Sequence, residues 1–180
     1  MNSSGAGPRA VLIGPPGSGK STVARLLAAR LGVSARDTDA DVETAAGRSI
    51  ADIFVEEGEP AFRALERAAV LAALSGHDGV LALGGGAVLD PETREALAGQ
   101  IVVFLDVGIA DAAPRIGFNK ERPLLMINPR SQWVALMQER RPIYEQVATL
   151  RVDTSGRTPD QVTDAVVTEL ATLEAERATR

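Results

Sequence analysis

Short apolar runs at 10–13, 80–83, 101–105 and 150–152 punctuate the chain, each stopping at a glycine or an aspartate before a longer stretch of mixed character. After the first run, Val23, Leu26, Leu27 and Leu31 recur at the spacing of one helix face before Gly32. The runs are too short to be independent helices. Their alternation with helical segments predicts an α/β fold with a parallel sheet, because parallel strands need crossover connections and those crossovers cover both faces with helices. A weakly marked run at 33–36 would make the strand count five. Ser49, Asp90 before Pro91 and Thr158 before Pro159 read as helix starts, and Gly58 as a helix end.

Helical spacing lapses between 116 and 130, where Gly117, Asn119, Lys120, Arg122, Pro123, Asn128 and Pro129 fall together. An ordinary surface connection would read this way. The basic residues suit a mobile lid over phosphates. The expected organisation is a flexible start at 1–8, a single domain at 9–170 and a fraying helical end at 171–180, with no internal repeat.

Composition narrows the function classes. The chain has 180 residues, enough for one ordinary domain, and with 45% hydrophobic and 24% charged residues it is globular in type. Aromatic residues are only 3%, so the core must be aliphatic. Absence of cysteine excludes disulfides, thiolate metal sites and a cysteine nucleophile. A net charge of −5 argues against gripping a nucleic-acid backbone. With no apolar run near the roughly 20 residues of a membrane span and no secretion signal in 1–8, a cytoplasmic protein without membrane partners is expected.

Candidate chemistry begins at Gly14-Pro15-Pro16-Gly17-Ser18-Gly19-Lys20-Ser21, which matches GxxxxGK followed by Ser or Thr, between an expected strand and an expected helix. In this motif glycines let backbone N–H groups wrap phosphate oxygens at a helix N-terminus, the lysine reaches the terminal phosphates and the hydroxyl ligates Mg²⁺. Gly17, Ser18, Gly19, Lys20, Ser21 and Thr22 are therefore the expected nucleotide-binding residues. Motors, switches and small-molecule kinases share this loop, and the short chain favours a compact kinase.

Asp37-Thr38-Asp39 follows the expected second strand, at the sheet end where the phosphate loop opens. Turn and cap chemistry would explain such a pair. Beside a phosphate loop, Asp37 is instead a candidate for holding Mg²⁺, and Asp39 for orienting or deprotonating an attacking hydroxyl. Arg63 and Glu66 are three apart on an expected helix, either as a solvated ion pair or as part of a site. Glu139-Arg140-Arg141-Pro142 reads as a solvated helix end or as the source of a second acceptor arginine, since two guanidinium forks suit a carboxylate. Gly84-Gly85-Gly86 ends a strand with more glycine than a turn requires, so something approaches its backbone closely. His77 reads as a loop residue and Trp133 as packing at the lid's base.

Taken together, GPPGSGKST, DTD, ADIFVEEGEPAFRALE, LGGGAV, RPLL and ERRPIYEQVA resemble the shikimate kinase family, in order, over about 9–167. The resemblance implies a three-layer P-loop kinase fold with a five-stranded parallel sheet, helices on both faces and a lid. It implies transfer of the ATP γ-phosphoryl group to the 3-hydroxyl of shikimate, in aromatic amino acid biosynthesis, by a monomer. By the same resemblance Asp39, Arg63, Gly85 and Arg140 match shikimate-binding positions, within the Gly84 to Gly86 turn and with both arginines on the carboxylate. Lys20, Asp39 and Arg122 match the catalytic groups, and Ser21 and Asp37 the Mg²⁺ site. Phe54, Phe62 and Glu66 match pocket-shaping positions, and Arg115, Arg157 and Pro159 residues flanking the adenine. Phe118 and 126–132 depart from the family pattern.

Overall fold

The computed structural model describes residues 7–117 and 128–180. Five strands, β1 (Ala10–Ile13), β2 (Ala35–Asp37), β3 (Val80–Ala82), β4 (Val102–Asp106) and β5 (Leu150–Asp153), form one sheet in the order β2-β3-β1-β4-β5. Every pairing is parallel, and Val11 of central β1 faces Leu81 on one side and Val102 on the other. The helices are α1 (Lys20–Leu31), α2 (Thr38–Ala46), α3 (Ile50–Glu57), α4 (Glu59–Gly76), α5 (Pro91–Leu97), α6 (Ile109–Ile116), α7 (Pro129–Val147) and α8 (Pro159–Ala178).

Alternation along β1 builds two cores. Ala10 and Leu12 face Val23 and Leu27 of α1 and Val162 and Val166 of α8. Val11 and Ile13 point the other way, toward Val70 of α4, Leu97 of α5, and Trp133 and Tyr144 of α7. Because helices cover both faces, β1, β3 and β4 are buried throughout, which is why they read as continuous apolar runs. The core around Ala10 and Leu12 is wholly aliphatic, and each fully buried leucine or valine contributes about 1.5–3 kcal/mol. In the core around Val11 and Ile13, Phe104 stacks on Tyr144 with ring centroids 5.1 Å apart. A smaller cluster of Val42, Ile53 and Phe62 holds α2, α3 and α4 together.

The expected caps are present: Ser49 and Asp90 each accept a first-turn N–H, and Thr158 forms a reciprocal capping box with Gln161. Three boundaries differ from the sequence reading. Strand β2 is shifted to Ala35–Asp37, so Asp37 is its last residue and the N-cap of α2. Helix α1 starts at Lys20, ahead of the apolar spacing, because its first turn belongs to the phosphate loop. The irregular stretch is shorter than 116–130: Ile116 closes α6 and Pro129 opens α7, while 118–127, including Arg122, lie outside the described residues. Helix α8 continues to Ala178 with an exposed terminus.

Candidate functional site

The loop after β1 turns through Gly17 at φ 82° and Gly19 at φ 88°, a left-handed conformation that residues with a Cβ avoid. Gly19 occupies the N-cap of α1 with no side-chain cap, so the first-turn N–H groups face the loop's concavity, an arrangement suited to phosphate. Lys20 Nζ donates to the carbonyls of Gly14 (2.8 Å) and Pro15 (3.1 Å), holding the amine at the loop mouth. The indole of Trp133 donates to the Pro16 carbonyl at 2.9 Å, so α7 braces the loop from behind. Trp133 was expected only to pack.

Asp37 carries two contacts at once. Its Oδ1 accepts the Asp39 N–H at 2.9 Å as a helix cap, and its Oδ2 accepts the Ser21 hydroxyl at 2.5 Å. Cap chemistry and site chemistry are therefore not alternatives here. Thr22 continues the same first turn of α1. The carboxylate that ends β4, Asp106, is taken: both oxygens accept from Arg141, and Arg151 donates to it as well. Burial raises the Asp106 pKa, but these hydrogen bonds and charges outweigh it and hold the group below its ordinary value.

Beside the phosphate loop, Gly84-Gly85-Gly86 leaves β3, and its crowding explains the glycines. A Cβ on Gly84 would stand 2.7 Å from both Asp39 Oδ1 and Glu66 Oε2. One on Gly85 would stand 3.3 Å from the Gly14 carbonyl and 3.4 Å from an Arg140 guanidinium nitrogen, and one on Gly86 would overlap the Arg63 guanidinium. Thus α2, α4, α7 and the phosphate loop meet at one turn. Arg63 donates to Glu66 at 2.7 Å and lies 5.2 Å over the Phe62 ring, which itself packs on Phe54 at 4.8 Å. Glu66 is almost wholly buried, and desolvation pushes its carboxyl above the usual range; Arg63 opposes this, Asp39 adds to it, and Arg140 opposes it again.

Arg140 does not sit at a solvated helix end. Helix α7 runs through Pro142 to Val147, and Tyr144, one turn after Arg140, is fully buried with its hydroxyl donating to the Gly85 carbonyl at 2.6 Å. Arg115 reaches back to the Gly17 carbonyl (3.2 Å) and to Thr154 Oγ1 and carbonyl (3.0 and 2.9 Å), linking the phosphate loop to the turn after β5. Arg157 and Pro159 are exposed on that same turn and the start of α8. His77 caps the end of α4, its ring against the Val80 carbonyl.

The shikimate kinase family model matches residues 16–171. The chain belongs to the shikimate kinase family. A shikimate kinase of Streptomyces coelicolor is 58% identical over 168 residues, spanning 93% of this chain and 98% of that protein. One from Thermobifida fusca is 56% identical over 163 residues, 91% of this chain and 95% of that protein. Among solved structures, the shikimate kinase of Acinetobacter baumannii in complex with shikimate superposes with a TM-score of 0.88 at 33% identity, covering 92% of this chain and 93% of the other. A gluconokinase of Sinorhizobium meliloti, covering 94% of this chain and 95% of its own, shares the fold alone, at a TM-score of 0.60 and 20% identity. The five-stranded parallel sheet with helices on both sides is the fold of this family.

Within the shikimate kinase frame, the described candidates fall into three groups. Lys20, Ser21 and Asp37 surround the phosphate loop; Asp39, Arg63, Gly84 to Gly86 and Arg140 surround the glycine turn; Arg115, Arg157 and Pro159 stand at the β5 side. Sequence reasoning passed over Tyr144, although a tyrosine four residues after a candidate arginine on a helix shares its face.

Proposed function

We infer that the chain is an ATP-dependent kinase that transfers the γ-phosphoryl group to the 3-hydroxyl of shikimate, giving shikimate 3-phosphate and ADP with release of the hydroxyl proton. This places it in the biosynthesis of aromatic amino acids through chorismate. The observation that carries the reading is the convergence of Asp39, Arg63, Glu66 and Arg140 on one glycine turn that touches the phosphate loop. Two guanidinium groups at an otherwise acidic turn fit a substrate with a carboxylate, and Asp39 fits its hydroxyl. A nucleotide sensor would have no need of this acceptor set.

In this reading Gly17, Ser18, Gly19, Lys20, Ser21 and Thr22 bind the ATP phosphates, and Arg115, Arg157 and Pro159 flank the adenine. Arg63 and Arg140 hold the shikimate carboxylate, Gly85 approaches its ring, and Asp39 orients the 3-hydroxyl toward the γ-phosphorus. Lys20 from the loop and Arg122 from the segment between α6 and α7 spread the charge of the transferring group. The donor set at Ser21 and Asp37 fits Mg²⁺, which takes one or two protein oxygens and completes its shell with phosphate and water. Among the described residues no group of three or more acidic or imidazole side chains offers an all-protein cage, which accords with that mode. Ser21 and Asp37 would hold the ion, which would offset the charge of the phosphates.

The test is ADP release from Mg-ATP with shikimate, gluconate and nucleoside monophosphates offered separately. Acceleration by shikimate alone is expected. Acceleration by gluconate or a nucleotide instead, or ATP binding without turnover on any acceptor, overturns the assignment.

A further inference from the structure

Helix α7 carries more than an acceptor arginine. Tyr144 lies one turn beyond Arg140 on the same face, with its ring packed on Phe104 and its hydroxyl 2.6 Å from the Gly85 carbonyl. A phenol hydroxyl donates once and accepts in addition. Here the donated bond goes to the Gly85 carbonyl, and the Arg140 guanidinium lies against the same glycine, one of its nitrogens 3.4 Å from where a Gly85 Cβ would stand. That Cβ would also stand 3.3 Å from the Gly14 carbonyl and 3.4 Å from Pro16, a tight fit. The tyrosine therefore closes a chain of contacts from the phosphate loop through the glycine turn to the arginine.

We propose that Tyr144 is a positioning residue for the acceptor, its hydroxyl fixing the Gly85 carbonyl and with it the part of the Gly84 to Gly86 turn against which the Arg140 guanidinium lies. The proposal rests on the acceptor reading given above. It differs from simple core packing in what it assigns to one oxygen atom. Phenylalanine at 144 keeps the ring and its stack on Phe104, but leaves the Gly85 carbonyl beside Arg140 without its donor. Burial pushes the phenol pKa up to about 12, against opposing effects of Arg140, so the hydroxyl remains a donor at any working pH.

The test is a double-mutant cycle of Tyr144→Phe and Arg140→Ala, with shikimate and ATP varied independently and kcat/KM taken from initial slopes. For Tyr144→Phe a roughly tenfold rise in the shikimate KM is expected, with the ATP KM within about twofold of wild type and kcat less affected, as leaving a partly buried carbonyl unsatisfied would give. In the Arg140→Ala background the same substitution should change kcat/KM for shikimate by less than about twofold, because the group it acts through is gone. An unchanged shikimate KM in Tyr144→Phe overturns the proposal. Equal factors in both backgrounds also overturn it, since a merely structural role would be independent of Arg140. A wild-type protein that does not turn over shikimate removes the acceptor reading and this proposal together, and is recognised before any substitution is compared.

Discussion

The hydroxyl of Ser21 donates to Asp37 Oδ2 across 2.5 Å, joining the first turn after the phosphate loop to the end of β2. On the proposed reading, this hydroxyl and carboxylate beside the N–H groups of the loop are the pair that would hold Mg²⁺. Asp37→Asn keeps the shape and the cap on the Asp39 N–H but removes the charge. The Mg²⁺ concentration for half-maximal activity should rise by about tenfold or more, the scale on which altered ligation weakens a metal site. A magnesium titration at fixed ATP checks this, and an unchanged midpoint would take Asp37 out of the metal site.

The glycine turn and its arginines form one mechanical unit. Arg63→Ala or Arg140→Ala should weaken shikimate binding by at least ~1.5 kcal/mol, with a much smaller change in ATP affinity. Gly86→Ala should reproduce the Arg63 effect without touching the arginine, because the added methyl occupies the place of its guanidinium. Calorimetric titration of each variant with shikimate and with ATP separates the two sites. A larger loss on the ATP side would assign these residues to the nucleotide.

Much of this was legible in the chain. Strands β1, β3 and β4 were readable because burial on both faces makes each a run of apolar residues, and β5 from Leu150 and Val152 alone, whereas β2, with Arg36 and Asp37, carries almost no such signal. The phosphate loop was readable because its glycines and lysine have fixed spacing. The neighbourhood of Arg63, Arg140 and Gly84 to Gly86 was legible only through the family resemblance, because residue spacing does not show that α4 and α7 both reach the turn after β3. Pro142 made Arg140 look like a helix end, yet α7 continues past it, since packing of Tyr144 on Phe104 secures the next turn. Nothing in the sequence pairs Asp106 with Arg141 and Arg151, because the three come together only where β4, β5 and α7 pack.

Two buried carboxylates should give opposite pH signatures. Asp106 has its pKa lowered in the fold, so its contribution is complete above its unfolded value near ~3.9 and is lost as pH falls through the folded value. Asp106→Asn should cost about 2 kcal/mol at neutral pH, less than for a fully buried pair because Arg141 and Arg151 are partly solvated, and the deficit should shrink in acid. Glu66 has its pKa raised, so its ionisation opposes folding above the folded value, and that penalty disappears as pH falls toward its unfolded value near ~4.3. Wild type should therefore gain stability relative to Glu66→Gln as pH falls through this window. Urea unfolding of the three proteins across pH tests both signs, and parallel curves would contradict them.

Trp133 is the single tryptophan of the chain, and its indole donates to the Pro16 carbonyl. Its emission should respond to ATP, which contacts the loop that this bond braces. Trp133→Phe should cost about 1 kcal/mol of stability, the net worth of one hydrogen bond. Emission that stays flat at ATP concentrations where calorimetry shows binding would separate the indole from the nucleotide site.

The central claim concerns the bond that is made, and the most direct measurement is phosphorus NMR of the protein with Mg-ATP and shikimate. The account predicts ADP and one new phosphate monoester in equal amounts, with the phosphorus coupled to the proton on carbon 3 of shikimate. Inorganic phosphate as the only new species, or a monoester on another hydroxyl, would contradict it.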